Sequence, residues 1–102
     1  MKLQALTQAQ AAEMGSFGSL VGYVTTTRAQ LEEVFGAPTY SEESWDGKVT
    51  TEWVLVFPDG TRATIYDWKR YEEGAPTMNE EYEWHIGGNS RDIESLVQDY
   101  LK

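Results

Sequence analysis

The strongest pattern in the chain runs from residue 52 to residue 69, where apolar and polar side chains alternate on either side of Pro58-Asp59-Gly60. A repeat of two is the mark of a strand with one buried face. Proline presets φ, aspartate bonds its own backbone and glycine accepts a positive φ, so together they predict a hairpin turn. With Phe57 opposite Thr61, the register sets Leu55 against Ala63 and Trp53 against Ile65 on the core face. The other face carries Glu52, Val54 and Val56 opposite Tyr66, Thr64 and Arg62, a mixed surface expected to be partly wet.

The flanking segments supply further elements. Residues 1–14 are rich in Ala and Gln and predict a short helix with Leu3 and Leu6 inward, stopped by the glycines at 15 and 18. Residues 20–24 read as a short strand that leads through Thr25-Thr26-Thr27 into a helix. Thr27 and Gln30 have capping-box spacing, Leu31, Val34 and Phe35 share a face, and Gly36 with Pro38 ends the element. Residues 40–48 predict a weak third strand, turning at Asp46-Gly47. Residues 70–81 keep no period and are expected as a mobile acidic loop. In 82–86 the alternation returns, with Tyr82, Trp84 and Ile86 on one face and Glu83 and His85 on the other. Ile93, Leu96, Val97, Tyr100 and Leu101 then recur at helical spacing, with Asn89 or Ser90 as the cap. The expectation is one small α+β domain over residues 20–102, an antiparallel sheet of three to five strands with two helices on one face. Residues 1–19 are expected as an N-terminal segment that frays or acts as a partner-binding arm.

Composition narrows the classes. At 102 residues the chain holds one domain's worth of core. Aromatic residues make up 13% of it, more than a small core requires, which leaves rings for a binding surface. A formal charge of -9 opposes binding to duplex nucleic acid but suits docking onto a basic protein surface. With no cysteine there is neither disulfide nor thiolate chemistry, and no apolar run approaches the ~20 residues of a membrane span. The expected location is the cytoplasm.

The residues Glu52-Trp53, Phe57, Asp59-Gly60-Thr61, the run from Ala63 through Lys69, and the run Trp84-His85-Ile86-Gly87-Gly88 resemble a group of small, largely uncharacterised proteins of tailed bacteriophages, notably those of actinobacterial hosts. The likeness takes in the run from Leu31 through Pro38 and covers roughly residues 20–100. It implies a phage origin and a small accessory role, and it carries no activity, catalytic residue or cofactor with it. Small accessory phage proteins often inhibit a host protein or remove a defence signal, so the resemblance favours counter-defence.

Candidate chemistry concentrates in two places. In Gly87-Gly88-Asn89-Ser90-Arg91 a strand feeds a helix, an arrangement that leaves backbone N–H groups and a helix dipole ready for a phosphate. Trp84 and His85 stand just before it, where a base would stack and an imidazole would donate. The competing account is an ordinary turn needing positive φ, followed by a plain N-cap. In Tyr66-Asp67-Trp68-Lys69 alternating aromatic and polar groups at a strand end would form a ligand rim. There the competing account has Asp67 bonding backbone amides, Trp68 in the core and Lys69 solvated. Lys69, Arg70 and Arg62 add positive charge. His85 is the only histidine and no nucleophile elbow is present, so catalysis is not expected, nor is a zinc or calcium site or any cofactor. The leading expectation is a non-catalytic counter-defence protein that sequesters a small phosphate-bearing nucleotide signal, with a homo-oligomer whose copies share the ligand as the assembly to test. The alternative is an acidic inhibitor or nucleic-acid mimic that docks on a basic host protein through Glu42-Glu43, Glu72-Glu73 and Glu80-Glu81. An enzyme that degrades the signal ranks third.

Overall fold

The computed structural model describes residues 3–15, 18–42, 47–69 and 74–102. In chain order the elements are α1 (Gln8–Met14), β1 (Ser19–Thr26), α2 (Arg28–Phe35), β2 (Glu52–Val56), β3 (Arg62–Tyr66), β4 (Tyr82–Gly88) and α3 (Asp92–Tyr100). The four strands form one antiparallel sheet in the order β1-β4-β3-β2. This is a small α+β domain.

The hairpin has the register that alternation dictates: Trp53 pairs with Ile65 and Leu55 with Ala63. The Phe57 N–H donates to the Thr61 carbonyl at 2.8 Å, and the Asp59 carboxylate accepts from the Thr61 N–H at 2.9 Å. Gly60 stands at φ 90, a conformation that favours glycine. One face of the sheet is dry. Trp53, Leu55, Ala63, Ile65, Trp84 and Ile86 are all fully buried there. Leu31 and Phe35 of α2 and Ile93 and Val97 of α3 close over them. Trp53 and Trp84 meet edge to face at 5.3 Å, and each indole N–H reaches a carbonyl, that of Gly36 and that of Thr26 respectively. Two large rings are thus buried with no donor left unpaired, the condition for gaining from their area.

Thr27 caps α2 by accepting from the Gln30 N–H at 3.1 Å. The Gln30 amide does not return to the cap and instead donates to the Leu101 carbonyl, tying α2 to the C-terminal end of α3. A full capping box forms at Thr7 and Gln10, so the first helix begins at Gln8. Leu3, Ala5 and Leu6 precede it in extended chain. Their N–H groups donate to the carbonyls of Val34, Phe35 and Val54, and Ala5 is buried.

Both sheet edges are closed in part. Along β2, Leu6 bonds Val54, the Thr39 hydroxyl accepts from the Val54 N–H, and Tyr40 exchanges both backbone bonds with Glu52. That exchange is all the described residues show of the expected strand at 40–48, because residues 43–46 lie outside the described residues. At β1, the Glu94 carboxylate accepts from the Tyr23 N–H at 2.8 Å and the Gln98 amide donates to the Tyr23 carbonyl at 3.2 Å. The expected loop at 70–81 is anchored over its described part: Pro76 is fully buried and the Met78 carbonyl accepts from the Ala29 N–H. Residues 70–73, including Arg70, Glu72 and Glu73, lie outside the described residues, as does Glu43.

Candidate functional site

The second face of the sheet is where polar and aromatic groups collect. Neighbouring strands place residues in rows across a sheet, and one row crosses all four strands here. Tyr40 pairs with Glu52, Glu52 with Tyr66, Tyr66 with His85, and His85 with Tyr23. Four ring-bearing residues and one carboxyl therefore stand side by side on a single face.

The rings pack on one another. His85 meets Tyr23 at 5.0 Å and Tyr66 at 5.5 Å, both edge on, and stacks against Trp68 at 5.9 Å. The Trp68 ring also carries two ammonium groups, Lys69 Nζ at 5.5 Å and Lys48 Nζ at 5.9 Å from its centroid. Lys69 adopts φ 54, a left-handed conformation that costs a lysine about 1–2 kcal/mol. Its N–H donates to the Lys48 carbonyl at 2.7 Å, and that bond holds both lysines beside the indole. Trp68 is thus a cationic shoulder of the row rather than a core residue.

Beside the row lies a cavity of about 430 Å³, between the sheet and α1. Ala11, Ala12 and Gly15 form its helical wall, Tyr40, Glu52 and Tyr66 one side, and Val54, Thr64 and Gly87 its floor. The volume falls in the range of small-ligand sites. Small side chains on α1 keep it open.

Electrostatics mark Glu52. Burial, and then the nearby charge of Asp67, push its carboxyl up to about 7. Burial also raises the Tyr66 phenol, with Glu52 and then Tyr23 adding to it. Burial depresses the His85 imidazole against the opposing pull of Glu83 and Asp67. Asp67 is fully buried and accepts from the N–H groups of Thr50 and Thr51 at 2.8 and 2.9 Å and from the Thr50 hydroxyl. Its part is to fix the strand end from which Trp68 and Lys69 project.

The residues singled out from the sequence thus separate. Tyr66, Trp68, Lys69 and His85 come together on the open face, and Asp67 supports them from below. Trp84 does not join them. It is fully buried on the opposite face between Trp53 and Tyr82, where no ligand can stack on it. Nor is a phosphate cradle formed at the strand-to-helix turn. Neither Gly87 nor Gly88 has positive φ, and both belong to β4. A Cβ at Gly87 would press on the Thr64 hydroxyl and one at Gly88 on the end of the Ile93 side chain, so either neighbour would have to shift to admit it. The first amides of α3 are satisfied within the turn: Asp92 N–H by the Ser90 hydroxyl, Ile93 N–H by the Ser90 carbonyl and Glu94 N–H by the Arg91 carbonyl. The N-cap position is Arg91, whose side chain makes no capping bond, while Ser90, one of the two expected caps, accepts from the first helical amide, that of Asp92. Asp92 and Glu94 occupy the first turn, where a bound anion would need to sit. Asn89, Ser90 and Arg91 instead line a separate depression of about 580 Å³ against the irregular start of β1.

Four members of the site, Tyr23, Tyr40, Lys48 and Glu52, were not among the sequence candidates. A signal for Glu52 existed, since the hairpin register already set it beside Tyr66. Among the described residues no group of acidic, histidine or cysteine side chains is arranged to hold a metal ion. No helix of the described residues is long and apolar enough to cross a membrane. No protein-family model, curated protein sequence or solved structure matches this chain.

Proposed function

We propose that this chain is a non-catalytic binding protein of phage type, active in counter-defence, that sequesters a small phosphate-bearing nucleotide signal on the open face of its sheet. The single observation that carries this is the row Tyr40-Glu52-Tyr66-His85-Tyr23 beside a cavity of about 430 Å³. A planar base enters the cavity edge first, with the Tyr66 ring along its side and the Glu52 carboxyl at its polar edge. The phosphate charge falls to Lys48 and Lys69, held beside Trp68 on the same face. Two local cations on a chain of charge -9 suit a small ligand better than a polynucleotide, whose many phosphates the whole-protein field repels.

Holding rather than converting is the favoured role because Glu52 and His85 are separated by Tyr66. Two strand spacings, about 10 Å, are too wide for a carboxylate to orient an imidazole. The test is depletion. The protein is incubated with a panel of mono-, di- and cyclic nucleotides, filtered and then denatured. Return of intact nucleotide only after denaturation supports sequestration, and a chemically altered product would make the protein an enzyme. If no nucleotide is depleted, the reading fails and the acidic exterior, through Glu42 and Glu80-Glu81, becomes the surface to test against basic host proteins.

A further inference from the structure

We infer that Glu52 selects the base, and that the base is guanine. The inference rests on the reading that the cavity takes a nucleotide, and it specifies which one.

A glutamate carboxylate has two acceptor oxygens and no donor when ionised, so it pairs best with two parallel N–H groups. Among the common bases, guanine alone presents such an edge, the ring N1–H beside the exocyclic amine. Adenine and cytosine each set an amine beside an acceptor nitrogen, and uracil sets one N–H between two carbonyls. Either arrangement would hold an acceptor atom against the carboxylate.

The surroundings of Glu52 strengthen the assignment. No hydrogen bond from a described residue reaches its side chain, although the main chain on both sides is fixed, by Tyr40 across one edge and Tyr66 across the other. The charge of Asp67 repels it, and among the described residues α1 contributes Ala11 and Ala12 to the cavity lining. Glu52 is half-buried and lines a ligand-sized space, so an N–H donor that enters it meets a pair of acceptor oxygens with no described donor already on them. Tyr40 and Tyr66 stand on either side of it in the row and line the same cavity. Ala11 and Ala12 of α1 and Gly87 in the floor keep the cavity open to a ring entering by its edge.

The experiment is equilibrium binding of guanosine, inosine and adenosine 5′-monophosphates to the wild-type chain, to Glu52→Gln and to Tyr66→Ala, at pH 8. Inosine keeps N1–H and lacks only the amine, so it isolates the second hydrogen bond. The expected result is that the guanine nucleotide binds at least 10-fold more tightly than either other nucleotide. Glu52→Gln should erase that preference while melting no lower than wild type, and Tyr66→Ala should weaken all three. Equal affinity for the three, or a guanine preference that survives Glu52→Gln, overturns the role of Glu52 and leaves the nucleotide reading standing. Absence of binding by all three overturns the guanine assignment, and the nucleotide reading falls with it only if the di- and cyclic nucleotides of the wider panel are not depleted either.

Discussion

The two faces of this one sheet use the same strands for opposite ends. On the dry face Trp53 and Trp84 each have the indole N–H paired and the ring covered. On the open face the rings lean on one another at 5.0–5.9 Å around His85, and a carboxyl is held where its charge is unwelcome. The first arrangement minimises free energy locally. The second keeps a group out of its best state, and such groups collect at functional sites. Residues adjacent in sequence, such as Trp84 and His85, belong to different regimes because successive strand residues point to opposite sides.

Substitutions should separate the regimes. The largest effect is expected from Trp84→Ala, which empties a fully buried site and should cost about 3–5 kcal/mol in urea unfolding. Next comes Asp67→Ala. It strips the acceptor from two backbone amides and a hydroxyl and should cost about 2–4 kcal/mol by the same measurement. Smaller, and opposite in sign, is Glu52→Gln. The folded-state pKa of about 7 lies above the ordinary carboxyl value of 4.5, so the native state holds this proton more tightly than the unfolded chain does. The wild-type glutamate is therefore harmless below pH 4.5, and it destabilises progressively as pH rises to 7 and beyond. Discounted for partial exposure, the variant should be more stable by about 1–3 kcal/mol at pH 8, with the gain gone near pH 4.5 in paired thermal melts. A gain that did not vary with pH would show that Glu52 ionises normally. The smallest change is expected at Trp68→Ala. Its ring is 37% exposed, and its loss should alter stability by less than about 1 kcal/mol while removing the stacking partner of His85. A large destabilisation there would place Trp68 in the dry regime after all.

Much of the dry face was legible in the sequence. Alternation around Pro58-Asp59-Gly60 specifies both the hairpin and its register, because a slip of one residue would turn Trp53, Leu55 and Ile65 outward. The helix over Leu31 and Phe35 and the amphipathic α3 follow from spacing in the same way. The open-face row was legible only in part. Glu52 beside Tyr66 follows from the hairpin alone. His85 and Tyr23 join them only because β4 lies between β3 and β1, an order set by crossover connections that local pattern does not encode. Grouping Trp84 with His85 gave weight to nearness in sequence where the alternation through Tyr82, Trp84 and Ile86 already set the two on opposite faces. At Gly87-Gly88 the glycines answer to Thr64 and Ile93, contacts made across the sheet and to the helix that packs on it.

The bonds from Glu94 and Gln98 to Tyr23 bear on self-association. They occupy the outward amide and carbonyl at the middle of the outermost strand, so a second molecule cannot dock there by continuing the hydrogen-bond ladder. Any pairing of two copies must then use side-chain surfaces, and it would leave amyloid-like stacking through this strand blocked until both clasps are removed.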